Sequence, residues 1–482
     1  MSTRHRWWVL LAISAASLMA GFDNSVSNAV LPVIAASLRA DVSTTQWVVL
    51  IYLLLVTVLV LSAGRLGDLR GHRRVYLVGV GLFIASSAGC GFAPTVGWLI
   101  AARACQALGA AMLVSNAPAI LTTTFPDHMR GRVLGLQATA VYVGTIIGPG
   151  IGGFLATSFD WGAVFLVNVP IGLVVLLLSA RCLPADVPGS SPTMRFDLAG
   201  AGTFGLGLVL LILGLNQAGG WGWTLPLLIG CFLAAGASLA AFIWIEQRTT
   251  APLLDFNLFR KREFSTAAAS VILTYAATFA TSFVLPFYLI QGRGISPAEA
   301  GLVLIAVPVL MPILSPLSGA LSDRIGTRLP ATGGVAIVAT ALFALSRADA
   351  NTPLTGVVGL LMLLGLGMGL FTAPISSAIL GSVPRERRGV ASGVMSTARG
   401  LGMVLGFALG GSVFAAIIRS IDTGTNPAAV THAADTTLLV AAGLATLATV
   451  ALVLRPSSAA EPAPGGGSLR RLARLAWSIR QA

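Results

Sequence analysis

Asp23 is an acid in the middle of an apolar segment that runs from Trp7 to about Leu38. A carboxylate in a bilayer interior costs roughly 2.5–3.5 kcal/mol even on the gentlest insertion scale, so an acid kept there usually serves a purpose. The chemistry it offers is reversible protonation. Arg103 is a second such charge, inside another apolar stretch that begins near Val96. If the first helix starts near Arg6, Asp23 lies about 25 Å along it at 1.5 Å per residue. Arg103, on a helix of opposite direction, lies about 10 Å below the outer surface, so in a core about 30 Å thick the two reach similar depths. Asp23 is the only acid inside a first-half span, and an intramembrane Arg generally finds a partner. The two are therefore expected to sense each other, directly or through water. The plainer alternatives are a structural acid neutralised by Arg103 and an Arg that satisfies helix-end carbonyls.

The elements that must position these charges are membrane helices. The chain has 482 residues, of which 56% are hydrophobic and 10% charged, with a mean hydropathy of +0.88. These values describe an all-α polytopic membrane protein rather than a soluble domain. A span needs about 20 mostly apolar residues, and counting such stretches gives about fourteen, among them 8–31, 97–121, 198–216, 223–245, 299–321 and 389–417. The first is kept as a helix rather than a cleaved leader, because it carries Asp23 and Asn28 and no convincing cleavage site. With the N-terminus inside, 24 of the 30 Lys and Arg fall on the cytoplasmic side. That bias favours an even span count, both termini inside and a cytoplasmic (inner) membrane location. It also accounts for the net charge of +13 without nucleic acid.

Other chemistries are poorly supported. Cys90, Cys105, Cys182 and Cys231 show no close pairing, and His5, His72, His128 and His432 are scattered, so no metal site is expected. No Gly-rich Lys-Ser/Thr loop points to ATP. An intramembrane enzyme needs buried catalytic groups, and a sensor needs a soluble output domain; neither is visible.

The chain repeats itself. Pro126, Gly131, Gly135, Gly144, Gly148 and Gly152 recur, shifted by 258, as Pro384, Gly389, Gly393, Gly402, Gly406 and Gly410. Gly64, Asp68, Gly71 and Arg73 recur, shifted by 255, as Gly319, Asp323, Gly326 and Arg328. Both copies of each anchor face the same side, which implies two parallel six-helix bundles related by a pseudo-two-fold axis along the membrane normal. The expected organisation is an N-terminal bundle (1–182), a linker with an inserted helix pair (183–264), a C-terminal bundle (265–455) and a basic tail (456–482). The tail carries Arg470, Arg471 and Arg474 beside Leu469, Leu472, Leu475 and Trp477, which suits either an amphipathic helix on anionic membrane lipids or a disordered basic tail. Aligning Leu31-Pro32 with Leu285-Pro286 sets Ala277 opposite Asp23, so any proton coupling should reside in the first half. Gly144, Gly148 and Gly152 share one helix face and permit close packing, with a kink expected at Pro149.

With these motifs the chain resembles the fourteen-helix drug:proton antiporter branch of the major facilitator superfamily. Gly64-Arg65-Leu66-Gly67-Asp68-Leu69-Arg70-Gly71-His72-Arg73-Arg74 is similar to the superfamily's loop between helices two and three. Asp23-Asn24-Ser25-Val26-Ser27-Asn28-Ala29-Val30-Leu31-Pro32 resembles the branch's first-helix pattern, and Arg103-Ala104-Cys105-Gln106-Ala107-Leu108-Gly109 the Arg-x-x-Gln-Gly pattern, with Ala107 in place of its Gly. Gly144-Thr145-Ile146-Ile147-Gly148-Pro149-Gly150-Ile151-Gly152-Gly153 is similar to the antiporter signature. Helix ten lacks the interior acid of some polyspecific cation exporters, and Gly162 replaces an Arg often found after Trp161.

The resemblance implies a secondary transporter, not an enzyme, that uses the proton gradient and no cofactor. It exchanges protons for lipophilic, cationic drugs by alternating access; a dedicated exporter of one metabolite or antibiotic is the alternative. It implies that Asp68, with Arg70 and Arg73, holds the inner side closed in the outward-open state, and that Arg399 matches an Arg common in the branch, with a packing or gating role. Small amphiphilic substrates are expected in a cavity whose polar groups include Asn28, Asn116, Gln137 and Asn168, the last two alternatively gluing helices together. An accessory envelope partner is left open.

Overall fold

A computed structural model describes residues 3–126, 129–186, 198–221, 226–249, 256–348, 352–383, 388–421 and 426–454. The basic tail, with its expected lipid-facing helix, lies outside the described residues, as do Pro384 and His128.

The regular elements among the described residues are all helices. The first half contains α1 (Thr3–Ala29), α2 (Leu31–Ser37), α3 (Val42–Arg70), α4 (His72–Gly91), α5 (Val96–Thr124), α6 (Arg130–Ser158), α7 (Ala163–Leu166) and α8 (Asn168–Cys182). Then come α9 (Leu198–Trp221) and α10 (Pro226–Arg248), packed on each other. The second half contains α11 (Arg262–Phe287), α12 (Pro297–Leu304), α13 (Met311–Ile325), α14 (Arg328–Leu345), α15 (Leu354–Gly381), α16 (Arg388–Ile421) and α17 (Pro427–Val453). Among the described residues, twelve helices are long and apolar enough to cross a membrane. Exposed Phe154, Leu177, Leu233 and Trp244 give the bundle an apolar outer face, as a lipid-facing surface requires.

Span 198–216 falls on α9, a helix of 24 residues. One expected span differs. Span 299–321 is broken into α12 and α13 by a non-helical stretch at 305–310. Pro308 explains the break: it has no N–H to donate, and its ring collides with the carbonyl four residues back, that of Leu304, where α12 ends. Pro32 acts similarly where α1 gives way to α2 at Val30.

Helix starts follow local chemistry. Asp41 caps α3 by accepting from the Thr44 N–H (3.3 Å), and Ser296 and Glu299 form a capping box on α12. α3 and α13 both stop at a glycine of positive φ, Gly71 (+95°) and Gly326 (+87°), a conformation that a Cβ opposes. These are the same two glycines related by the 255-residue shift.

The repeat recurs in the packing. Gly144, Gly148 and Gly152 set α6 against α1: an added Cβ would meet the Leu18 carbonyl, Ser25 and Val26. Gly402, Gly406 and Gly410 set α16 against Ile272, Ala276 and Ala280 of α11. The pair Gly79 and Gly109 touches backbone to backbone between α4 and α5, as Gly334 and Gly367 do between α14 and α15. Such contacts let helices approach where a hydrophobic driving force between them is missing.

The halves meet along α6 with α12, α3 with α16, and α1 with α11. Gly150 and Gly153 of α6 face Ile305 and the Pro297 carbonyl, while Gly301 of α12 lies on the Pro149 carbonyl. At the start of α3, the Gln46 amide donates to the carbonyls of Phe407 (2.6 Å) and Ala408 (3.2 Å) in α16, in space that Gly411 leaves open.

Candidate proton site and central cavity

Asp23 and Arg103 touch directly. Arg103 Nη1 donates to Asp23 Oδ2 at 2.6 Å, and both side chains are 0% exposed. α1 and α5 bring them together, and α8 adds a third side. Asp23 Oδ1 accepts from Gln106 Nε2 (2.9 Å) and from Asn168 Nδ2 (2.9 Å). Gln106 also donates to Ser87 Oγ (2.8 Å) on α4. Arg103 donates its Nε–H to the Val48 carbonyl (3.0 Å) and lies against the rings of Tyr52 (4.2 Å) and Phe165 (5.7 Å). Three N–H donors on two carboxylate oxygens suit the acceptor-only form of Asp23, whose attraction for Arg103 a proton would weaken. Asn168 thus ties α8 to α1 through Asp23, the helix-gluing alternative rather than the cavity one. Gln106 falls in the Arg-x-x-Gln pattern, but a buried amide carries no periodic signal that would assign it a role.

Turning α1 by one residue leads from this sealed knot into a cavity. Asn24, Ser25 and Asn28 line a space of about 420 Å³ between the halves, together with Tyr142 of α6, Tyr275 and Phe279 of α11 and Met368 of α15. That volume lies within the roughly 300–1,000 Å³ of small-molecule sites, and the lining is largely apolar, as such sites are. Arg399 of α16 faces the same cavity, with its guanidinium 5.4 Å from the Tyr275 ring centre. Its Nε is buried without a hydrogen-bond partner among the described residues, as is Asn28 Oδ1. None of the described lining residues is Asp or Glu.

Two other expected cavity residues lie elsewhere. Asn116 sits at the 64–74 end of the bundle, where its Oδ1 pairs with His72 Nδ1 (2.7 Å) and its amide donates to the Ala63 carbonyl (3.3 Å). Its position on α5, well past Arg103, carries it beyond the cavity. Gln137 donates to Ser17 Oγ (3.3 Å) and so joins α6 to α1.

In the 64–74 segment, Asp68 is exposed and pairs with His72 (3.3 Å) and Arg65 (3.9 Å), both nearby in sequence. Arg70 is exposed. The backbone N–H groups of Arg73 and Arg74 donate to Asp186 (2.8 and 3.1 Å), which caps α4 from beyond α8. The Arg73 guanidinium donates to the Ala180 carbonyl (2.7 Å). A Cβ at Gly71 would strike the Asp186 carboxylate, and one at Gly67 would strike Asn116. Gly64 has room, since its added Cβ would only touch Ser115. Asp186 carries no signal in the sequence, being a lone acid more than a hundred residues from its partners.

A helical bundle with a two-fold internal repeat and a cavity between its halves is the plan of one large transporter family, and the family model for the Major Facilitator Superfamily matches residues 13–259 and 267–480. This chain belongs to that superfamily. Among similar proteins of the superfamily are the riboflavin transporter RibZ of Clostridioides difficile (31% identity, covering 86% of this chain and 89% of that one) and the multidrug resistance protein Stp of Mycobacterium tuberculosis (34%, 84% and 75%). A third is the tetracenomycin C resistance and export protein of Streptomyces glaucescens (31%, 86% and 77%). The fold matches a solved structure of a bacterial homologue of the human lysosomal transporter Spinster, with a TM-score of 0.70 at 17% identity, over 94% of this chain and 97% of that one. The protein is a polytopic membrane transporter of the secondary type, not an enzyme.

Proposed function

We propose that the protein is a proton-coupled exporter of amphiphilic small molecules and that Asp23 is its coupling site. The observation that carries this reading is Asp23, fully buried and held by three N–H donors, one residue from cavity-lining Asn24 on the same helix. Loss of a proton inward leaves Asp23 clasped by Arg103, Gln106 and Asn168. Substrate then enters between the halves, the bundles rock, and a proton from outside loosens the clasp. α1 joins the two events, because one face of it carries Asp23 and the next carries Asn24 and Asn28. Exporters among the relatives, including multidrug and antibiotic resistance proteins, support the direction of transport.

The remaining elements belong to the same proposal: the fourteen-helix antiporter branch, with α9 and α10 as an inserted pair and α12 with α13 as one interrupted span, and a cytoplasmic membrane with both termini inside. Asp68, Arg70 and Arg73 would close the inner side in the outward-open state. The cationic part of the expected substrate class lacks support in the cavity, where the charge among the described lining residues is positive. A single-substrate exporter is the second reading, favoured by relatives named for riboflavin and for tetracenomycin C; a resistance panel that gives one narrow phenotype selects it.

The test is gradient-driven dye movement in proteoliposomes, wild type against Asp23→Asn. Collapse of gradient-driven movement with dye binding retained is the expected result. A variant that still couples dye to protons sinks the reading.

A further inference from the structure

We propose that the central cavity selects amphiphiles bearing an oxyanion, a carboxylate or an ionised phenol, and that Arg399 holds that group. This deepens the exporter reading and depends on it only for the transport step. Arg399 is the charged side chain among the described cavity-lining residues. Its Nε is buried and has no hydrogen-bond partner among them, so a donor waits at the cavity wall for an acceptor that the protein does not supply. A cation at membrane depth ordinarily pairs with an acid. Asp23, the buried acid of the first half, is 0% exposed and held by Arg103, Gln106 and Asn168.

The guanidinium is also held. It lies 5.4 Å over the Tyr275 ring, an arrangement that orients the planar fork without neutralising it. A carboxylate meets such a fork through two parallel hydrogen bonds, and a phenolate through one. The rest of the lining supplies aromatic and thioether surface from Tyr142, Phe279 and Met368 for the apolar body of the ligand. A lipophilic cation would meet the same surface together with an unscreened positive charge.

The repeat shows that packing does not require this pair. Shifts of 254 and 258 residues relate Tyr275 to Gly21 and Arg399 to Val141. There the helices close tightly, an added Gly21 Cβ lying 2.4 Å from the Val141 carbonyl. The second half keeps the helix pair and replaces that contact with a cation and a ring at the cavity wall.

The test uses two xanthene dyes of opposite charge, fluorescein and rhodamine 6G, with the purified full chain in detergent. Wild type should bind fluorescein more tightly. Arg399→Gln should weaken fluorescein binding roughly tenfold or more, the value of a charge-assisted hydrogen bond, and leave rhodamine 6G within about twofold. Arg399→Lys should keep the preference for the anion at reduced affinity, and it decides the matter if the Gln variant does not fold. Tighter binding of rhodamine 6G by wild type, equal loss of both dyes in Arg399→Gln, or loss of the preference in Arg399→Lys overturns the proposal. Proteoliposomes separate the two claims: Arg399-dependent fluorescein binding without gradient-driven movement refutes the exporter reading and keeps the site. Gradient-driven movement of either dye in wild type, together with fluorescein binding that ignores Arg399→Gln, does the reverse.

Discussion

In the first half, Asp23, Arg103 and Gln106 join Asn168 in a sealed polar knot between α1, α5 and α8. The positions related to the first three by shifts of 254 and 258 are Ala277, Leu361 and Leu364, and all three are buried and apolar. The second half therefore shows that the bundle packs without the knot. Its own intramembrane charge, Arg399, stands at the cavity wall instead, where the first half has Val141. One scaffold thus carries a cation paired with an acid away from the cavity in one copy and a cation on the cavity wall, facing no acid among the described lining residues, in the other. Helix contacts built from glycine are common to both copies, so they belong to the scaffold, while the charges differ between them.

The sharpest way to break this comparison is to write the second half into the first. Arg103→Leu leaves Asp23 buried without its cation and should cost about 3–5 kcal/mol, read as a lower thermal midpoint in detergent. The double variant Asp23→Ala with Arg103→Leu should recover most of that loss, as Ala277 and Leu361 suggest, while gradient-driven transport stays absent. A double variant no more stable than the single one would show that the knot is part of the scaffold after all.

A smaller effect tests the shared packing. Gly406→Ala sets a Cβ 2.1 Å from the Ala276 carbonyl, whereas at Gly148 the first obstacle is the Ser25 hydroxyl, which can turn away. Gly406→Ala should cost about 1–3 kcal/mol and Gly148→Ala less, by the same thermal measurement. Asn168→Ala removes one of the donors to Asp23 and leaves Arg103 in place, so about 1–2 kcal/mol is expected, with weakened rather than abolished coupling.

The least change is expected at the broken span. Pro308 corresponds, by the shift of 255, to Leu53 in unbroken α3. Pro308→Leu should join α12 to α13 and slow amide exchange at 305–310 by roughly tenfold, or about 1.4 kcal/mol, measured by mass spectrometry. Unchanged exchange would locate the cause of the break in the contacts of α12 with α6.

What the sequence disclosed follows from where its signals are strong. Asp23 and Arg103 stand out because ionised groups are rare in apolar segments, and depth along two opposed helices set them level. Gln106, Asn168 and Asn116 are neutral polar residues within spans, and depth alone does not say which way they turn. Asn116 was accordingly expected at the cavity and lies at the 64–74 end, while Asn168 lies on Asp23. The break at Pro308 escaped because hydropathy windows register composition and are blind to a missing backbone N–H. The repeat was legible from glycines alone, since contact between helix backbones admits little else.

The Gln46 bond to α16 has a consequence of its own. It fastens the two halves through a neutral amide on two main-chain carbonyls, so added salt neither screens it nor does acid discharge it. A clasp of that kind answers only to mechanical displacement: α3 and α16 must slide or tilt apart before water can take over the freed carbonyls.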